Sequence, residues 1–236
     1  MNKRFTFFLI ILVFAFYVVN SMAANNQRAK QNVMLILDAS GSMWGQIAGK
    51  AKIDIARTAI SRILARWNSD THIGVMTYGH RAKGDCGDIQ TLRPVGQVNH
   101  AQIMNLLNGL SPKGKTPLGA SIKMAANLLK SREEAASVVL VSDGLETCGM
   151  DPCAVARQLK KQNINLRIHV IGFDVNNVKD ISKLQCIATN TGGRYIRANN
   201  INQLNQALNI VNTIVQKKIE LKPVIVKSQK TQALKP

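Results

Sequence analysis

Between residues 33 and 215, short runs of continuous apolar residues alternate with stretches of helical period, and this limits the chain to one class of architecture. Residues 33–37 (VMLIL) form an unbroken apolar run. A run of that length without polar alternation fits a strand buried on both faces, as in a parallel sheet. Ile53, Ala56, Ile60, Ile63, Leu64 and Trp67 then recur at helical spacing. Further strands are expected at 72–78, 138–141, 168–173 and from Tyr195, with a short partner strand at 89–92. Helices are expected at 99–110, 118–129, 153–161 and 181–189, and Ile201, Leu204, Leu208, Val211 and Val215 give the stripe of a closing helix. The pattern predicts an α/β fold: a doubly wound, Rossmann-like, mostly parallel six-stranded sheet with one antiparallel edge strand and helices on both faces. Ligands of such sheets bind beyond the carboxyl ends of the strands, at the point where strand order reverses. Asp38 and Asp143 both follow strand ends.

The 236 residues suffice for one good-sized core, flanked by segments of different character. Lys3 and Arg4 precede an apolar run over residues 5–19, and Ser21-Met22-Ala23 meets the small-residue rule for signal peptidase. Residues 1–23 are therefore expected to be a signal peptide cleaved after Ala23, with a periplasmic or secreted destination. The alternative is an uncleaved membrane anchor over residues 5–19, but these 15 residues fall short of the roughly 20 that span a bilayer as a helix. Residues 24–31 read as a polar leader, 32–216 as the folded domain, and 217–236 as a flexible basic tail with six lysines and one acid, Glu220.

Net charge is +18, or +16 without Lys3 and Arg4. Such a surface attracts anionic partners, an acidic envelope component among them. The charge is scattered and aromatic residues make up only 5%, so no specific nucleic-acid platform is expected. The four cysteines, Cys86, Cys148, Cys153 and Cys186, are an even number in an exported chain, which points to two disulfides with three possible pairings. Cys148 and Cys153 look like half a zinc site, but the other two cysteines are far apart and no His stands at ligand spacing.

Chemistry concentrates at three loops. Asp38-Ala39-Ser40-Gly41-Ser42 sets a carboxylate and two hydroxyls at alternate positions around a Gly that permits a sharp bend. Thr116 offers a hydroxyl between two predicted helices, and Asp143 a carboxylate after a buried strand. Oxygen donors of this kind suit Mg²⁺, Mn²⁺ or Ca²⁺ rather than zinc. With Asp-x-Ser-x-Ser, a Thr and a strand-end Asp in that order, residues 32–216 resemble the von Willebrand factor type A domain with its metal-ion-dependent adhesion site. The segments DASGSMWG (38–45), YGHR (78–81), GDC (84–86), ETC (146–148) and DPC (151–153) resemble an exported bacterial branch of that family. The resemblance implies that Ser40, Ser42 and Thr116 touch the cation, while Asp38 and Asp143 act largely through water and hydrogen bonds. It implies a binding module rather than an enzyme, with Mg²⁺ as the leading cation and a partner protein's Asp or Glu as the last ligand. Cys86 and Cys148 would then lie on loops near the metal. A Cys86–Cys148 bridge would stiffen the site, with Cys153–Cys186 tying neighbouring helices; Cys148–Cys153 is the alternative.

A rival reading uses the same residues. GLSPKGKT (109–116) matches the phosphate-binding loop of nucleotide triphosphatases, and VVLVSD (138–143) matches the strand and Asp that assist magnesium. That loop needs a preceding strand, whereas the residues before Gly109 have helical period, and Pro112 has no N–H to offer a phosphate. For hydrolysis without a nucleotide, Ser40 and Ser42 lack the Gly-x-Ser-x-Gly elbow, and His72, His80, His100 and His169 sit in no base motif. His80 could reach the metal edge, and Glu146 could tune it. Both also fit as polar loop residues.

Overall fold

The computed structural model describes residues 30–130, 136–144, 146–162 and 165–217. The expected signal peptide 1–23, residues 24–29 of the expected leader and the tail beyond Lys217 lie outside the described residues. Among those described, no helix is long and apolar enough to cross a membrane.

Six strands form the main sheet: β1 (Gln31–Asp38), β4 (Thr71–Tyr78), β5 (Ile89–Gln97), β6 (Ala136–Ser142), β7 (Leu166–Phe173) and β8 (Tyr195–Ala198). A two-stranded hairpin of β2 (Gln46–Ile47) and β3 (Lys50–Ala51) precedes the first helix. The helices are α1 (Lys52–Leu64), α2 (His100–Asn108), α3 (Leu118–Lys130), α4 (Pro152–Lys161), α5 (Val178–Thr191) and α6 (Ile201–Lys217). Spatial strand order is β5-β4-β1-β6-β7-β8, with every pairing parallel except β4–β5. This is the doubly wound sheet with an antiparallel edge that the alternation predicts.

Every residue of β1 is buried, and its side chains divide between two cores by the period of two. Val33, Leu35 and Leu37 pack with α1, α2 and α6 on one face; Met34 and Ile36 pack with α3, α4 and α5 on the other. The helix ends follow local chemistry. Asn99, Asp151 and Asn177 accept backbone N–H groups at the starts of α2, α4 and α5. Gly192 ends α5 in the left-handed conformation, with φ of 70°.

The structure departs from the sequence pattern in detail. β1 begins one residue inside the expected leader, at the buried Gln31. Helix α2 stops at Asn108, so Leu110 is buried from the following loop rather than from the helix. β5 runs to Gln97, well past the expected Leu92. Pro94 and Gly96 disguise its second half, which pairs with β4 through shifted register. An edge strand tolerates this because one side of its backbone has no ladder to complete. The Arg93 guanidinium spans the irregularity, donating to Ile73 O and Gln97 O.

Strand order reverses between β1 and β6, because the chain leaves β1 for β4 on one side and returns to β6 on the other. Asp38, the last residue of β1, and Asp143, the residue after β6, therefore meet at this switch point.

Candidate metal centre

Asp38 is fully buried, and its carboxylate closes the turn that follows it. Oδ1 accepts the Ser40 N–H at 2.8 Å and Oδ2 accepts the Ser142 hydroxyl at 2.6 Å. Both oxygens are thus held by the protein. Burial pushes the Asp38 carboxyl up to about 6, and the nearby Asp143 charge pushes the same way against the hydrogen bonds from Ser142 and Ser40. The chain then makes a single 3-10 turn, Gly41–Trp44, which lifts Ser42 to the surface while Ser40 stays buried.

The hydroxyls of Ser40 and Ser42 lie 3.1 Å apart, and Ser42 donates to Asp143 Oδ1 at 2.7 Å. Asp143 Oδ2 receives the Lys52 ammonium at 3.0 Å, and the same ammonium reaches Asp174 Oδ2 at 2.9 Å. Burial works against the charge on Lys52, but Asp174 and Asp143 together outweigh it and raise its pKa. Four of the five expected site residues, Asp38, Ser40, Ser42 and Asp143, therefore join in one network of hydrogen bonds from two loops.

Thr116 arrives on a third loop, docked against the first by backbone. Ser40 and Gly114 form a parallel bridge, with Gly41 N donating to Gly114 O at 3.1 Å. Lys113 N and Gly114 N both donate to Gly79 O at 2.9 Å. Glycine is needed at two of these positions. A Cβ on Gly79, whose φ is +69°, would stand 2.5 Å from Lys115 O, and one on Gly114 would stand 2.5 Å from Ala82 O. Thr116 itself is buried and locked to Thr147, whose Oγ1 accepts the Thr116 N–H at 2.8 Å and whose N–H donates to Thr116 O at 3.1 Å.

The amides of Gly109, Leu110, Lys113, Gly114 and Thr116 are accordingly in use within the protein, and the segment runs from α2 to α3 with no strand leading into it. Neither feature matches a phosphate cradle. Glu146 brackets the loops: Oε2 accepts from Gly119 N in the first turn of α3 and Oε1 from Cys148 N. His80 is held by Gln90 Oε1 at 2.8 Å and lies 3.6 Å from Asp88.

Cys86 pairs with Cys148 and Cys153 with Cys186, each with Cα atoms 5.6 Å apart. The first bridge ties the loop after β4 to the loop after β6, two of the walls of this edge. The second joins α4 to α5.

Lys52, Ser142, Thr147 and Asp174 support the centre without being visible in the Asp-x-Ser-x-Ser pattern. Ser142 carried a weak signal, since it directly precedes Asp143. Lys52 carried none, because its partners lie 91 and 122 positions further along the chain.

Among the described residues no group of three or more His, Cys, Asp or Glu side chains gathers to hold a metal. The five expected site residues would offer donors of another kind: three hydroxyls on short side chains and two carboxylates, with no sulfur or imidazole. That chemistry fits a hard divalent cation.

The profile of the von Willebrand factor type A domain matches residues 32–210. The uncharacterized protein YwmC of Bacillus subtilis (strain 168) is 31% identical over 214 residues, covering 84% of this chain and 92% of its own. YwmD of the same organism is 30% identical over 196 residues, covering 79% and 87%. Among solved structures, the vWF domain of the type V pili tip protein Mfa5 from Porphyromonas gingivalis superposes with a TM-score of 0.67 at 15% identity, over 84% of this chain and 98% of that one.

Proposed function

The chain belongs to the von Willebrand factor type A family, and from that premise we propose that it is an exported adhesion or assembly module that captures a partner protein's carboxylate through a divalent cation, Mg²⁺ first among candidates. The observation that carries the reading is the joining of Asp38, Ser40, Ser42 and Asp143 in one hydrogen-bond network at the switch point, with the Thr116 loop bridged to Ser40.

Ser40, Ser42 and Thr116 are the direct oxygen donors, and Asp38 and Asp143 orient them. The Asp38 oxygens fix the turn through Ser40 N and Ser142, while Asp143 is shared between Ser42 and Lys52. When bound, the cation supplies an electrophilic position for an external carboxylate oxygen. The site's own negative charge is largely engaged within the protein, so an outside acid is not repelled. The occurrence of this fold in a pili tip protein supports an adhesive role. Two disulfides fit an oxidising compartment, with residues 1–23 removed as a signal peptide on the way to the periplasm or the exterior.

Titration of the purified protein with Mg²⁺, Mn²⁺ and Ca²⁺ tests this, read by calorimetry and by unfolding. At 100-fold over Kd a bound ion stabilises by about 2.7 kcal/mol. Ser42→Ala and Thr116→Ala should weaken or remove that gain, and EDTA should release a captured envelope protein. Ion-independent unfolding of the wild type, or an equal gain in both variants, would overturn the reading.

A further inference from the structure

The rim beside the metal centre carries a set of cations that the metal-bridge reading does not use. Lys113 and Lys115 flank Gly114, which is bridged to Ser40. Residues 79–82 pack on the same segment, through the two bonds to Gly79 O and the close approach of Gly114 to Ala82 O. Lys83 follows Ala82 directly, so it belongs to the same rim. All three lysines are exposed, and among the described residues none forms an ion pair.

Two of the neighbouring acids are committed elsewhere. Asp88 is buried and taken by Arg81 Nε at 2.6 Å and by the backbone N–H groups of Arg81 and Ala82. Glu146 is taken by two backbone amides. Asp85 is the exposed acid of this loop, and its Oδ1 accepts the Gly87 N–H.

Trp44 supplies a second, independent feature. It stands two residues after Ser42, is 53% exposed, and is held at the rim by its Nε1 donating to Pro112 O at 2.7 Å. A large aromatic surface kept in water and fixed by a hydrogen bond is the kind of group that anchors a partner.

We propose, resting on the metal-bridge reading, that this edge selects an extended acidic peptide segment. One carboxylate occupies the cation, further acids two to four positions away meet Lys83, Lys113 and Lys115, and a partner side chain packs on Trp44. The lengths agree. An extended chain advances about 3.3 Å per residue, so those flanking acids lie roughly 7–13 Å from the cation, within reach of long lysine side chains. Interactions over that span are strong at low salt and screened at high salt.

Two nine-residue peptides with the same central Asp test the proposal by fluorescence polarisation. One has Ser, Ala and Gly around the Asp; the other has Glu at positions ±2 and ±4. In Mg²⁺ at low salt the Glu-rich peptide should bind about tenfold tighter, since three exposed ion pairs are each worth a few-fold at most. The preference should vanish at 0.5 M salt and in Lys83→Gln/Lys113→Gln/Lys115→Gln, which should bind the single-acid peptide as the wild type does. Equal affinity for the two peptides, or a preference that survives in the triple variant, overturns the proposal. Binding of duplex DNA as tight as that of the Glu-rich peptide also overturns it, in favour of a generic attraction for polyanions. Ser42→Ala separates the two readings. A lysine-dependent preference unchanged by Ser42→Ala and by EDTA keeps the acidic segment and rejects the metal bridge, whereas loss of all peptide binding in the wild type rejects both.

Discussion

Gly79→Ala probes the joint between the Thr116 loop and the Asp38–Ser42 turn. At φ of +69° an alanine is strained, by about 1–2 kcal/mol. Its Cβ would also stand 2.5 Å from Lys115 O, 2.9 Å from Ser40 Cα and 3.1 Å from Ser40 N, where ordinary contact begins at 3.4 Å. All three are backbone atoms, and the two loops are pinned by Lys113 N, Gly114 N and Gly41 N. Relief therefore requires them to part by most of an ångström, an overpacking cost of about 1–3 kcal/mol. The total is about 2–5 kcal/mol. Gly84→Ala is the control, because Gly84 has φ of +84° but nothing within 4 Å of its Cβ position, leaving only the strain of about 1–2 kcal/mol. Urea unfolding of both variants at one pH measures the gap, expected at about 1–3 kcal/mol. The parted loops should also cost Gly79→Ala most of its Mg²⁺-dependent stabilisation, while Gly84→Ala keeps it. Equal destabilisation of the two variants within about 0.5 kcal/mol would refute the reasoning, since the joint would then not be rigid.

Lys52→Met strips two carboxylates of their shared cation, one of them with a side chain fully out of water, and should destabilise by about 3 kcal/mol in urea unfolding. A loss below about 1 kcal/mol would mean that Asp143 finds another partner. Asp88 behaves oppositely to Asp38. Burial pushes its pKa up, but the Arg81 guanidinium, the N–H groups of Arg81 and Ala82, and His80 outweigh burial and hold it below the usual carboxylate range. A depressed folded pKa gives stability that is present above the unfolded value near 4 and lost as pH falls through the folded one. Asp88→Asn should therefore be less stable than wild type at neutral pH, and the gap should close as urea midpoints are followed from pH 5 down to pH 2. A gap independent of pH would refute the ionic account.

The layered sheet is legible in the chain's residue pattern, because burial on both faces and helical period are properties of a dozen neighbouring residues. The same pattern also placed Asp38 and Asp143 after strand ends, and so at the edge where their loops meet. Less local features escaped it. β2 and β3 are too short to show a period, and their turn has Ala48 and Gly49 at φ of 50° and 77°, without the Asn-Gly or Asp-Gly pair that announces such a hairpin. β5 was cut short by Pro94 and Gly96, which a central strand would exclude but an edge admits. The cysteine count asks for two bridges and leaves three pairings; the expected Cys86–Cys148 and Cys153–Cys186 are the ones formed, because the folded backbone brings the loops after β4 and β6 together and sets α4 beside α5. The tie from Lys52 to Asp143 and Asp174 was decided by tertiary structure alone. An ion pair depends on where the folded backbone brings two charges, and nothing in the residues around Lys52 records which carboxylates will stand within 3 Å of it.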